Sequence, residues 1–226
     1  MVLAPVLAVL VAANLLTNRL APDHYLLTCA GGAAVLLILA RVAGLSWADL
    51  GLGAGTARRG LRWALVAAAA VLAGYLVLLA VPATREVLAD ERAAGLSGGG
   101  VLWHALVRVP LGTVLLEEVA FRGVLWGLVA RRLGPGRATA VSAALFGLWH
   151  VLPSTGITRA NAAAGDVFGT GGAGPVLAVA AAVLGTAAAG VLLAELRRRS
   201  GSLLAPAGLH CATNSVGYLV AWVASR

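Results

Sequence analysis

Long apolar runs separated by short polar breaks dominate the chain. Seven apolar segments stand out, at about 2–17, 25–43, 61–81, 101–130, 138–152, 176–196 and 203–223. They approach the ~20 residues a helix needs to span a bilayer. The fourth is too long for one simple crossing. It is either one tilted helix or a crossing helix followed by a short second one, broken near its glutamates. The expected fold is therefore an all-α, polytopic transmembrane bundle of seven to eight membrane helices. Residues 1–226 form a single integral membrane domain, since no polar block is large enough to fold separately and no internal repeat is found. The opening stretch "MVLAPVLAVLVAANLL" lacks the basic n-region of a secretory signal and reads as a first membrane helix.

Composition agrees with that pattern. The chain has 226 residues, 60% of them hydrophobic and only 12% charged, with a mean hydropathy of +0.92. A soluble domain carries roughly 25% charged residues. All 17 basic residues are Arg, in a net charge of +8. Together with abundant Ala and Gly this suggests a GC-rich bacterial genome and the cytoplasmic membrane of a bacterium. The arginines lie in short loops rather than on one soluble face, so the charge points to membrane topology and not to nucleic acid. Cys29 and Cys211 lack CxxC spacing and read as small buried hydrophobes.

Orientation follows from the arginines, because cytoplasmic loops of membrane proteins are enriched in them. Loops around 41–62, 131–137 and 197–199 are Arg-rich. They alternate with loops 82–100 and 153–175, where acidic residues offset the positive charge. The Arg-rich loops and the N-terminus are thus expected inside, and the Gly-rich stretches 95–100 and 165–174 outside. "GLGAG" at 51–55 and "GTGGAG" at 169–174 do not match a dinucleotide or phosphate-binding loop and read as turns.

Ionisable side chains inside membrane helices are costly and usually functional. Three clusters qualify. In "EEVAFR", Glu118 and Arg122 are i,i+4 and can pair. Glu117 is turned about 100° from Glu118, which leaves it outside that pairing. In "FGLWH", Phe146 and His150 share a face. In "HCATN", so do His210 and Asn214. Asn also glues membrane helices together, and a lone His is often a core hydrogen-bonding residue. His104, near the outer end of its segment, reads as interfacial. At 1.5 Å per residue, Glu117 lies roughly 21 Å from Arg131, His150 roughly 18 Å from residue 138, and His210 and Asn214 roughly 10 and 16 Å from residue 203. This permits convergence in a cavity within the membrane, expected to face the cytoplasm.

Two chemistries suit that set. Glu with His can deprotonate a water, while a second His and an Asn donate to an oxyanion. Alternatively Glu117, His150 and His210 match the His₂Glu ligand type of catalytic zinc. Either way the reading is hydrolysis of an acyl bond by activated water.

The three motifs together resemble the CPBP family, which comprises type 2 CAAX prenyl proteases and bacteriocin-processing or Abi proteins. The flanking "RSGSLLAPAGLH" and "SWADLGL" are similar to that family's surroundings. The motif-bearing part spans 101–223. The resemblance implies a glutamate-dependent intramembrane endopeptidase, with a divalent metal such as zinc as its candidate cofactor. It implies Glu117 as general base with His150 on the water, His210 and Asn214 on the oxyanion, and Glu118, Arg122 and Phe146 as support. The substrate is then a peptide or protein at the bilayer. Two other classes compete: a transporter or proton relay using the same residues, and a non-catalytic immunity or scaffold protein.

Overall fold

The computed structural model describes residues 2–226, with the side chains of Ala83, Arg85 and Glu86 outside that description. Every regular element among the described residues is helical. Helices α1 (Leu3–Leu20), α2 (Tyr25–Val42) and α3 (Ala57–Ala80) come first. Two short helices follow, α4 (Pro82–Leu88) and α5 (Glu91–Ala94). The stretch Gly98–Trp149 is divided by Gly134, whose φ of 81° no helix accommodates, into α6 (98–133) and α7 (135–149). Then come the short α8 (Ile157–Ala160) and α9 (Ala162–Phe168), the long α10 (Gly174–Ser200) and a final α11 (204–224).

Five helical stretches are long and apolar enough to cross a membrane: Leu3–Leu20, Pro22–Val42, Ala54–Ala80, Gly98–Trp149 and Gly174–Ser200. The expected seven or eight is not reached on these grounds, for two reasons. Gly98–Trp149 counts once although it turns at Gly134, and α11 is diluted by His210, Thr213 and Asn214. The alternative of a break near the glutamates is not found. The helix runs through Glu117 and Glu118 and stops only beyond Leu133. Large apolar side chains such as Leu27 (75% exposed), Val66 (72%) and Leu184 (71%) stand on the outside of the bundle. A soluble protein would hide such a belt. Here it marks an integral membrane protein with lipid as its solvent.

Lipid tails give little hydrophobic drive for helix association, so close approach through small residues takes over. A Cβ on Gly147 of α7 would come 2.7 Å from the Val183 carbonyl of α10. One on Gly208 of α11 would come 2.8 Å from Ala64 Cα of α3. The main apolar core joins α1, α2, α6 and α7 around Val6, Leu10, Leu36, Leu116, Phe121 and Leu125.

Hydrogen bonds define two ends of the bundle. At one, the loop 43–53 meets 197–203: Arg197 Nη2 donates to Asp49 O at 2.9 Å, and Leu203 N to Gly51 O at 2.9 Å. Gly51 has φ +76° and lies directly under the Arg197 guanidinium, so a side chain there has neither room nor an easy backbone. Leu45 and Leu50 of the same loop are fully buried and plug this end. At the other end, Arg19 Nη2 donates to Thr155 Oγ1 at 2.7 Å, Asn161 Nδ2 to Ala89 O at 3.2 Å and Trp222 Nε1 to Leu96 O at 2.8 Å. The loops with excess arginine thus gather at the plugged end, as the charge alternation requires.

Candidate active site

Helix α6 is widened to π geometry over His104–Val114 and again over Glu118–Leu125, and α11 over Ala212–Val216. Pro110 explains the first, because it has no N–H and its ring clashes with the carbonyl one turn back. In the second, Phe121 O accepts from Ser142 Oγ of α7 at 2.7 Å, a donor from a neighbouring helix. In the third, Thr213 Oγ1 donates back to Leu209 O and His210 O at 3.1 and 2.9 Å. Such bulges are common at functional sites, and two of the three carry candidate site residues.

Glu118 and Arg122 form the expected pair. Arg122 Nη1 reaches Glu118 Oε1 at 3.3 Å with both residues buried, Arg122 completely. The guanidinium also stacks on Phe146, 3.9 Å from the ring centroid. A desolvated cation is tolerable only with such compensation. His210 lies between the two glutamates. Its Nδ1 bonds Glu118 Oε1 at 2.8 Å, and its Nε2 faces Glu117 Oε2 at 3.7 Å. A carboxylate only accepts, so the Nδ1 proton belongs to the Glu118 bond.

Glu117 has a partner that local spacing could not supply. Trp149 Nε1 of α7 donates to Glu117 Oε1 at 2.9 Å. The backbone carbonyl of Trp149 in turn accepts from Asn14 Nδ2 of α1 at 2.8 Å. The sequence pattern singles out neither Trp149 nor Asn14. The one signal it holds is that a buried indole needs an acceptor and that Trp149 adjoins His150. His150 Nδ1 bonds Phe146 O at 2.7 Å, and its ring meets Phe146 edge-on at 4.6 Å. When Nδ1 donates to that carbonyl, Nε2 is left as an acceptor.

A cavity of about 420 Å³ contains Glu117, Trp149, His150 and Asn214 in its wall. Tyr25, Arg108 and Tyr218 stand further along it. Tyr25 shares a hydrogen bond with Thr113 at 2.8 Å and carries the Arg108 guanidinium 4.0 Å over its ring. The expected convergence of Glu117, His150 and Asn214 is therefore found. His210 is the exception: it is buried behind the glutamates and does not line the cavity. Cys29 is buried as expected but touches the cavity, while Cys211 is only half-buried. His104 is half-buried near the start of α6, its Nδ1 2.9 Å from Gly100 O.

The direction of the opening corrects an expectation. The wall includes Asn18, Asp90, Arg92, Pro153 and Ala221 and no residue of the loops 43–53, 131–137 or 197–203. The cavity thus opens away from the Arg-rich end rather than towards it. Depth along three helices gave a distance but not a direction, and the plug of Leu45 and Leu50 closes the other route.

The zinc reading fits poorly. No group of three His, Cys, Asp or Glu among the described residues is arranged to hold a metal ion. His210 Nδ1 is bonded to Glu118 and His150 Nδ1 to a backbone carbonyl, which leaves each Nε2 as the ring nitrogen open to an ion.

A buried carboxylate–imidazole–carboxylate cluster at the wall of an intramembrane cavity defines a class of site suited to hydrolysis within the bilayer. Residues 99–216, just over half of the chain, match the type II CAAX prenyl endopeptidase Rce1-like family. The chain belongs to that family, in agreement with the resemblance carried by its three motifs. Comparison with curated proteins and with solved structures finds no match. Family and fold together make it an integral membrane protein of the intramembrane endopeptidase type.

Proposed function

We propose that the protein hydrolyses a peptide bond with a water activated by Glu117. The carrying observation is the unequal placement of the two glutamates. Glu118 is tied to Arg122 and His210, while Glu117 reaches the cavity beside His150 and Asn214. Glu117 takes a proton from the water, whose oxygen attacks the scissile carbonyl carbon. The carbonyl oxygen becomes an oxyanion that the Asn214 side-chain amide stabilises by donation. His150 orients the water through Nε2. The C–N bond then breaks, and Glu117 returns the proton to the departing amine. The products are a carboxylic acid and an amine, so atoms and charges balance.

His210 acts from behind. Its bond to Glu118 fixes the ring, and its Nε2 faces the carboxylate that must gain and lose the proton. This is a positioning role in place of the direct oxyanion contact suggested by the motif. No step is routed through a metal in this reading, which is supported by the lack of a metal-holding group among the described residues. The substrate is a peptide or protein segment at the membrane. In this reading α1, α2, α3, α6, α7, α10 and α11 make seven crossings of a bacterial cytoplasmic membrane, with the N-terminus on the arginine-rich, cytoplasmic side.

The test is Glu117→Gln in reconstituted protein. Cleavage of membrane peptides is expected to be lost while the protein elutes and melts like wild type. Wild-type cleavage by that variant would remove Glu117 from the chemistry. Glu117-dependent ion or solute flux without proteolysis would move the protein to the transporter class.

A further inference from the structure

We infer that the catalytic cavity opens on the extracytoplasmic face, so that the enzyme cuts exported peptide segments and not cytosolic chain ends. The inference rests on the endopeptidase reading and adds to it the side from which substrate arrives.

Three observations carry it. First, the cavity has a direction. From Glu117 its wall passes Thr113 and Arg108 of α6 towards Asp90, Arg92 and Pro153, all at one end of the bundle. Second, the opposite end is closed. Between Glu117 and that end, α6 presents Val119, Ala120, Phe121, Arg122, Val124 and Leu125, every one buried. Beyond them Leu45 and Leu50 fill the space, and Arg197 pins their loop through Ala48 O and Asp49 O at 3.3 and 2.9 Å.

Third, the closed end carries the positive charge. Arg41, Arg58, Arg59, Arg62, Arg131, Arg132, Arg137 and the run 197–199 belong to it. The open end has Arg19, Arg85, Arg92, Arg108, Arg159 and Arg226, and it also holds Asp23, Glu86, Asp90, Glu91 and Asp166. Arginine in short loops near helix ends sets orientation, and acidic residues contribute little. By arginine alone the closed end is the cytoplasmic one. Substrate reaching Glu117 therefore has to be extracytoplasmic: a translocated peptide, or the outer flank of a membrane-anchored one.

Impermeant maleimide labelling of single-cysteine variants decides the side without relying on activity. In a Cys29→Ala, Cys211→Ala background, Gly95→Cys and Pro153→Cys report the mouth, and Gly136→Cys reports the turn between α6 and α7. Gly95 and Gly136 have open space where a Cβ would stand, and Pro153 is exposed. In intact spheroplasts Gly95→Cys and Pro153→Cys are expected to label, and Gly136→Cys only in inverted vesicles. The reverse pattern would overturn the inference.

A second arm compares peptides released from spheroplasts and from inverted vesicles carrying wild-type or Glu117→Gln protein. Peptides that depend on Glu117 are expected in the spheroplast medium. Their release only from the exposed cytoplasmic face of inverted vesicles would also overturn the inference. Their absence from both would defeat the endopeptidase reading, and the substrate claim with it, while labelling would still decide where the cavity opens.

Discussion

The indole of Trp149 donates its N–H to Glu117 Oε1 at 2.9 Å, fixing the proposed base on α6 from the end of α7. Trp149 is 8% exposed and Glu117 6%, so water competes little for this bond. Trp149→Phe keeps an aromatic ring and removes the donor. Losing a hydrogen bond to a charged group costs about 1.5–3 kcal/mol, and 1.36 kcal/mol is tenfold in rate. The expected result is a kcat reduced about 10- to 100-fold, with KM little changed. Steady-state cleavage of a reporter peptide checks it. An unchanged kcat would mean the bond does not help to place the base.

Much of this site is legible in the amino-acid sequence, because its residues are expensive in lipid. Glu117, Glu118, Arg122, His150 and His210 stand out against apolar neighbours. The i,i+4 rule identifies the Glu118–Arg122 pair correctly. What stays hidden comes from contacts between distant segments. Trp149 is 32 residues from Glu117, and His210 is 92 from Glu118. No local spacing reports such pairs. The 100° rule also assumes a regular helix, whereas α6 is π-wound from Glu118 onward, and His210 bridges both carboxylates. The segment pattern locates the helices to within a few residues. The break at Gly134–Pro135 falls inside the expected loop 131–137, where a positive φ precedes a residue suited to begin a helix, and only the alternative of a further break near the glutamates is absent.

The Glu118–Arg122 pair yields a stability prediction. Arg122 is fully buried and Glu118 2% exposed. Removing one partner strands the other charge, at a cost of about 3–5 kcal/mol. Arg122→Met alone is expected to lower the melting temperature in detergent sharply, or to reduce the yield of monodisperse protein. The double variant Glu118→Gln, Arg122→Met removes both charges, and its melting temperature is expected to lie above that of Arg122→Met. A double variant no more stable than the single one would show that the pair's charges are not what holds this part of α6.

Packing of α11 on α3 gives a second stability prediction. Gly208 touches Ala64 so closely that an added Cβ would sit 2.8 Å from its Cα. Overpacking of this kind costs typically about 1–3 kcal/mol. Gly208→Val is expected to lower the melting temperature, and Ala64→Gly in the same chain to recover part of the loss. Because α11 carries His210 and Asn214, cleavage is expected to fall with the displacement. A melt identical to wild type would mean that the two helices separate without penalty.

The plug loop adds a pH dependence outside the membrane-spanning segments. Asp49 Oδ2 accepts from the Ser46 backbone N–H and hydroxyl, both at 2.8 Å. Those bonds hold its carboxyl below the ordinary carboxylate range. A carboxyl lowered on folding stabilises the native state above its unfolded value, about 3.9. That contribution fades as pH falls from there through the lower folded value. Asp49→Asn is therefore expected to melt below wild type at pH 7 and pH 5, with the gap closing as pH drops past about 4. A gap independent of pH would mean that the Asp49 charge does not brace this turn.

Metal removal separates the glutamate mechanism from a zinc one. In the zinc reading Glu117, His150 and His210 are ligands, and stripping the ion abolishes both turnover and a stoichiometric metal signal. The geometry favours the other outcome. Glu117, His150 and His210 form no metal-holding group among the described residues. Dialysis against a chelator is expected to leave cleavage unchanged and elemental analysis to find no stoichiometric metal, while His150→Ala loses activity. Loss of cleavage on chelation, restored by zinc alone, would reverse the assignment. It would bring His150 Nε2 and His210 Nε2 onto an ion beside Glu117, whose Oε2 is already 3.7 Å from His210 Nε2, with the Nδ1 bond of His210 to Glu118 left in place.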